Sequence, residues 1–402
     1  MTKPKLVSLQ HLSLQHFSLQ NFSLQNVSSK PSSSKPLSSV FGLRGMARAT
    51  LLGLAVSAAT LCGTAHADDA DVPGNIKWTV PFGVGGGTDV WARFFAPWLS
   101  DYLPGEPTIM IDNVPGGGSI NGANLFAMRA KADGSHWLGT SASTQYPAML
   151  DDRRVRYDYQ EWTPILATPT GGVVYGQPSL GEDADAIIDA MLDQQIKIAA
   201  QNPTGLELPV LIALDLLGAD VQAVFGMRSR GEGRLAFERG EADIDFQTSS
   251  AYLSNVLPLV ESGKAVPLFS LGLLNDEGEI VRDPAFPDLP TFNEVYAARH
   301  GEAPTGPAYE AFRKFFASGY ALQKLIVVPK DTPADLIETY RDAAREFIAT
   351  DAFRQDAEAQ LGPYDPVVGE VIQRHLEDAM SIDDATREWL THWLKEKHNA
   401  QI

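Results

Sequence analysis

Trp78-Thr79-Val80-Pro81-Phe82-Gly83-Val84-Gly85-Gly86-Gly87-Thr88-Asp89 runs from a β-prone stretch through a glycine turn into a helical pattern. Ile109-Met110-Ile111-Asp112-Asn113-Val114-Pro115-Gly116-Gly117-Gly118-Ser119-Ile120-Asn121-Gly122 repeats the arrangement further on. Loops without Cβ atoms let backbone N–H groups approach a ligand closely, and a helix starting behind them favours negative charge. Two such turns in neighbouring strand–helix units predict a pocket for a small anion. Neither is a nucleotide loop: Thr88 stands where a dinucleotide fingerprint needs its third glycine, and no Gly-Lys-Ser/Thr follows.

Outward from these turns, strands and helices alternate. Lys77–Pro81 reads as a strand, followed by a helix capped at Thr88 or Asp89 that presents Val90, Phe94, Trp98 and Tyr102 on one face. Pro97 predicts a kink or an early end to it. Thr108–Asp112, His136–Ser141 and Thr163–Thr168 are further strands, and Ser119 caps a helix that Asp133-Gly134 ends. Gly171-Gly172 marks a crossing point. Beyond it come helix Ala184–Leu192, strand Ile196–Ala200, helix Leu206–Leu217, strand Val221–Phe225, helix Gly231–Arg239, strand Ile244–Gln247, helix Ser250–Glu261 and strand Ala265–Leu271. Strand Leu325–Pro329 and helices near Pro333–Ala349, Asp351–Gln360 and Val367–Lys397 close the chain. Such alternation implies an α/β protein of mostly parallel sheets covered by helices, with the ligand outside the carboxyl ends of the strands. The expected division is lobe 1 over 68–170 and 272–402, and lobe 2 over 171–271.

The first 67 residues fall outside that plan. Residues 8–28 repeat a Ser-Leu-Gln unit and a Ser/Pro/Lys stretch follows, so residues 1–45 read as a disordered or mis-assigned leader. Residues 46–67 then have the layout of a secretory signal peptide: Arg48, the apolar run Leu51–Leu61, and Ala65-His66-Ala67 as a cleavage site. The only cysteine, Cys62, lies in this segment, so the mature chain would have no thiolate chemistry. Cleavage removes six basic residues (Lys3, Lys5, Lys30, Lys35, Arg44, Arg48) and no acidic one, which takes the net charge from −18 to −24. Nucleic acid is thereby excluded as a partner, because it rewards positive charge. A local anion pocket survives it: at physiological salt the Debye length is about 8 Å, so nearby dipoles outweigh distant carboxylates. The five histidines left (His136, His300, His375, His392, His398) show no metal-ligand spacing, and neither a metal nor a cofactor is expected.

Val80-Pro81-Phe82-x-x-Gly85-Gly86-x-x-Asp89-x-x-Ala92-Arg93 resembles the first signature of the Bug family, the extracytoplasmic receptors of tripartite tricarboxylate transporters. Asn113-x-Pro115-Gly116-Gly117-Gly118-x-x-x-Gly122-Ala123 is similar to the second. Asp133-Gly134, Gly240-x-x-Asp243, Pro287-Asp288-Leu289-Pro290-Thr291-x-x-Glu294 and Pro329-x-x-Thr332-Pro333 agree in order. The resemblance implies a two-lobe Venus-flytrap fold of the periplasmic binding protein class II type. It also implies a monomer in the periplasm that holds a small organic carboxylate through main-chain N–H groups and hydroxyls for membrane permease subunits. Phe82, Gly83, Gly87, Thr88, Ser119 and Ser141 to Thr144 would contact the ligand from the first lobe. In the second lobe the family's Pro-Tyr-Lys-Gly stretch stands as Gly226-Met227-Arg228-Ser229, which offers Arg228 as a two-point carboxylate clamp. Gln201, Thr204 and Gln247 are the other second-lobe candidates. Asp89 reads first as a helix cap and second as a partner for the ammonium group of an amino-acid ligand. The aromatic residues Trp91, Phe94, Phe95 and Trp98 read as core. Two rival functions are a ligand-loaded partner of a membrane sensor kinase and an enzyme using the glycine loops as an oxyanion hole. The enzyme reading lacks a base beside any candidate nucleophile and a glycine two residues after Ser119.

Overall fold

A computed structural model describes residues 71–275 and 278–400. The expected leader, signal peptide and cleavage site lie outside the described residues. The chain begins with β1 (Asn75–Val80), α1 (Gly87–Tyr102), β2 (Thr108–Asn113), α2 (Ile120–Arg129), β3 (His136–Ser141), α3 (Ala142–Met149) and β4 (Trp162–Thr168). It crosses at Gly171 into β5 (Gly172–Gly176), α4 (Ala184–Asp193), β6 (Ile196–Ala200), α5 (Leu208–Leu217), β7 (Val221–Phe225), α6 (Arg230–Glu238), β8 (Ile244–Thr248) and β9 (Val266–Ser270). A two-strand ribbon, β10 (Leu273–Leu274) with β11 (Ile280–Val281), precedes β12 (Lys324–Pro329) and β13 (Val367–Val368).

Two sheets result, in the orders β13-β4-β12-β3-β1-β2 and β7-β6-β8-β5-β9. In the first, β1 to β4 run one way and β12 lies antiparallel between β3 and β4. In the second, β6 to β9 run one way and β5 lies antiparallel between β8 and β9. The reversed strands β12 and β5 each follow a passage between the lobes, and the two-residue β13 at the edge of the first sheet is antiparallel as well. The co-directional strands send their carboxyl ends, and the helices that start there, to one edge of each sheet. Those edges face each other across the seam, which is the class II periplasmic binding protein arrangement expected from the sequence.

Trp78 of β1, Trp91 of α1 and Trp137 of β3 build the first core, with Trp78 edge-on to both at 5.5 and 5.9 Å between ring centroids. Phe347 and Phe353 from the helices Ala334–Ile348 and Asp351–Leu361 pack on the far side of α1. Sandwiched this way, α1 buries Trp91, Ala92, Phe94, Phe95 and Leu99. The stripe is therefore centred one residue away from the expected face, where Val90, Trp98 and Tyr102 are half-buried flanks. The helix also continues past Pro97, which is exposed, and so does not end early there. The second core joins Ile198, Ile212 and Phe246 to residues of the helices Phe292–His300, Pro307–Tyr320 and Asp384–His398.

The C-terminal region differs from the single helix expected over 367–397. Val367 and Val368 pair with Ala167 and Leu166 at the sheet edge, and Gly369 turns the chain at φ 94°. Two helices follow, Glu370–Met380 and Asp384–His398, because the Asp383 carboxylate caps the second by accepting from the Thr386 N–H.

Candidate functional site

Phe82, Gly86, Gly87, Thr88, Ser141 and Ser143 from the first lobe face Gln201, Leu206, Ser229, Arg230 and Thr248 from the second. Together with Gln323, just before β12, they enclose a cavity of about 20 Å³, room for about one water. The lobes are thus closed on one another. The seam is fastened by Gly83 N–H donating to Arg228 O (3.1 Å), Asn202 Nδ2 to Gly117 O (3.0 Å) and Leu206 N–H to Ser143 Oγ (2.8 Å). A larger groove of about 680 Å³ lies beside Arg345, Phe353 and Tyr364.

Three helices begin at the cavity wall. α1 starts at Gly87, α3 at Ala142 behind its cap Ser141, and α6 at Arg230 behind its cap Ser229. The first-turn N–H groups of a helix have no intrahelical acceptor, so each start contributes free donors and about half a positive charge. The lining contains no carboxylate and no histidine. Thr248 Oγ1, Gln201 Nε2 and Gln323 Oε1 are buried without a hydrogen-bond partner among the described residues. Convergent helix-start donors, hydroxyls and the Gln201 amide, with no acid among them, are a chemistry suited to an anion.

Asp89 is placed otherwise than either sequence reading. The cap position of α1 belongs to Gly86, which makes no side-chain cap bond. The Asp89 carboxylate instead accepts from Gly85 N–H (2.9 Å), Arg93 Nε (3.0 Å) and Asn113 Nδ2 (2.9 Å). Asn113 also donates to Phe82 O. Asp89 thus ties the first glycine turn to the end of β2 and leaves its own charge satisfied behind the turn, away from the lining.

Ser119 is likewise no cap, since its side chain makes no cap bond and α2 starts without one. It sits at φ 111°, a strained conformation for a side chain with a Cβ, and donates its hydroxyl to Ser143 O. That bond joins the second glycine turn to α3, so Ser119 supports the wall rather than lining it. Gly118 allows the seam to close here: a Cβ on it would sit 1.6 Å from Asn202 Nδ2. Thr144 completes the capping box of α3 from behind Ser141. Thr204 donates to Asn202 Oδ1 within the second-lobe turn.

In the second lobe the arginine expected to reach across the cleft does not. The Arg228 side chain is 71% exposed and pairs with Glu232, one turn along α6. Its backbone carbonyl, not its guanidinium, meets Gly83. The buried arginine is Arg230. All five of its N–H donors are used: on Phe246 O twice, Ala199 O, the Glu207 carboxylate and the Asp245 carboxylate. Burial pushes the Asp245 carboxyl above its usual range, against the pull of Arg230. Gln247 donates to Arg230 O (2.7 Å) and to Asp245 (3.0 Å), so it belongs to this network and not to the lining. Arg230 locks the start of α6 onto β6 and β8, and no guanidinium is left over for a ligand. An exposed, locally paired Arg228 makes a testable expectation: Arg228→Ala and Arg228→Lys each change ligand affinity by less than about 0.5 kcal/mol in calorimetric titration.

Phe82, Gly87, Thr88, Ser141 and Gln201 are therefore brought to the wall, while Gly83 lies on the seam. Leu206, Thr248 and Gln323 join them without having been singled out. Thr248-Ser249-Ser250 at the end of a second-lobe strand was the available signal for Thr248, a hydroxyl run where the loop geometry calls for donors.

No family model matches the sequence, and no curated protein matches it. Solved structures do match. BugD, a periplasmic binding protein, covers 82% of this chain with 99% of its own length, at 18% identity and a TM-score of 0.62. A Rhodopseudomonas palustris protein with adipate gives 82% and 98%, 19% identity and a TM-score of 0.61. MatC from Rhodopseudomonas palustris, with bound malate, gives 78% and 98%, 18% identity and 0.56. At such identities the likeness is one of fold. No helix among the described residues is long and apolar enough to cross a membrane. From the glycine turns to the reversed strand in each sheet, this chain has the two-lobe fold of the periplasmic solute-binding proteins, the Bug-type receptors among them.

Proposed function

We propose that the chain is a periplasmic, non-catalytic receptor that captures a small organic carboxylate between its lobes for the membrane subunits of a tripartite tricarboxylate-type transporter. The observation that carries this is the meeting of three helix N-termini, from both lobes, on a lining without acids. An anion placed there bridges the α1 and α3 starts to the α6 start and so stabilises the closed form. The cavity must widen to admit it, and the seam's few hydrogen bonds are a small barrier to parting the lobes. Malate in MatC and adipate in the second protein above are bound by chains of this fold. The serines of the lining have no histidine or carboxylate beside them in it, which favours holding over hydrolysis.

A thermal-shift screen of the mature chain against mono- and dicarboxylates tests the reading, because a ligand bound only by the native state raises its apparent stability. At a hundredfold excess over Kd the gain is about 2.7 kcal/mol. A shift with sugars or other uncharged solutes and none with any carboxylate would refute it.

A further inference from the structure

Lys324 is the first residue of β12 and is 2% exposed. It pairs in register with Ser141 on β3 and with Thr168 on β4, so the three side chains share one face of the sheet at its carboxyl edge. Ser141 lines the cavity, and so does Gln323 immediately before Lys324. Across the seam, Lys324 Nζ donates to Ser250 Oγ (3.3 Å), two residues beyond the lining residue Thr248. An ammonium has three donors, and this neutral hydroxyl is the one acceptor described for it. No acid pairs with Lys324 among the described residues, and two buried acids are committed elsewhere: Asp89 of α1 to Gly85, Arg93 and Asn113, and Asp283 to Tyr364, Ser249 and Ala285. A buried ammonium without a counter-charge is costly to keep, and here it stands directly behind an anion site.

We propose that Lys324 is the buried charge partner of the bound carboxylate and sets the cleft's preference for anions. This rests on the receptor reading above and adds the residue that pairs with the ligand's charge. Burial lowers Lys324 from its ordinary value of 10.5 to about 7. In the ligand-free protein above neutral pH the amine is therefore mostly uncharged. A carboxylate entering the cleft favours the charged form and raises the value again, so the protein takes up a proton with its ligand. The sign follows by linkage: the bound state holds more protons than the free state above pH 7, and affinity falls as pH rises.

Calorimetric titration of malate and adipate at pH 8, in two buffers of different ionisation enthalpy, reads the proton uptake directly. The expected result is uptake of more than half a proton per ligand, with affinity falling by up to about tenfold per pH unit between 7 and 9. Lys324→Met should abolish the uptake, flatten the pH profile and weaken binding about tenfold or more at pH 6. A lysine with a purely structural role would leave wild-type binding without proton exchange. Binding of either acid to the wild-type chain with no uptake and a flat profile overturns the inference and leaves the receptor reading standing. No binding of any carboxylate overturns both. The wild-type measurement stands by itself if the variant does not fold.

Discussion

Gly87→Val should weaken carboxylate binding by about a hundredfold or more, roughly 2.7 kcal/mol, while leaving the ligand-free protein folded. A Cβ on Gly87 would stand 2.2 Å from Thr248 Oγ1 and 3.7 Å from the Ala251 Cβ, both on the second lobe. Threonine is stiff about its first side-chain torsion, so the hydroxyl has little freedom to move aside, and valine adds two further methyls. The clash exists only when the lobes are shut. Within its own lobe the residue occupies the first position of α1, where valine costs only a few tenths of a kcal/mol more than most residues. Asp89→Asn should show the reverse pattern. It removes the charge that holds Gly85, Arg93 and Asn113, so it should lower stability by about 1–3 kcal/mol and alter affinity less. Urea denaturation and calorimetric titration of both variants check the pair. Equal losses of affinity would return Asp89 to the ligand's first neighbours and count against a backbone cradle.

Arg230→Met is expected to be the most destabilising single change in the second lobe, at about 3–5 kcal/mol. It strands Glu207 and Asp245, each 0% exposed, and frees the carbonyls of Ala199 and Phe246. Asp245 already sits above its usual range through burial, and loss of the guanidinium raises it further. An acid whose folded value lies above its unfolded one costs stability as pH climbs through that interval and costs nothing below it. The deficit of the variant should therefore shrink as pH falls toward 4. Adding Asp245→Asn and Glu207→Gln should recover part of it at neutral pH. Denaturant midpoints from pH 4 to 8 measure both effects, and a pH-independent deficit would show that lost packing, not stranded charge, is the cause.

The glycine turns and the local periodicity placed most strands and helices, because each depends on residues adjacent in sequence. Strands β3, β6 and β7 lie within the bounds the sequence predicts, bracketed by turn residues and rich in β-branched or apolar side chains. Thr291-x-x-Glu294 is a capping box that marks the start of Phe292–His300, a signal present in the chain although no helix was drawn from it. By contrast α3 is buried on nearly every side and contains Pro147, so it shows no amphipathic period to read. β5 begins at Gly172, where the glycine pair signals a turn; only pairing with β8 and β9 makes it a strand.

The site divides along the same line. Which atoms a turn can offer is a local property, and Phe82, Gly87, Thr88 and Ser141, which the family resemblance implied as ligand contacts, stand on the cavity wall. Which arginine is buried is not local. Arg228 and Arg230 are two residues apart, and helix α6 sends one outward to Glu232 and the other inward between Glu207 and Asp245. Those acids are distant in sequence and come together only when β6, β8 and α5 pack. Lys324 and Ser250 are separated by 74 residues, and the Lys324 amine is lowered by burial among elements distant in sequence, β3 and β4 beside its own strand. The sequence by itself determined most elements, the family likeness and the two glycine turns, because these rest on backbone propensity and short-range patterns. Tertiary structure alone decided which charges are paired, which are buried and which face the cleft, because desolvation and ion pairing depend on what the rest of the chain brings alongside.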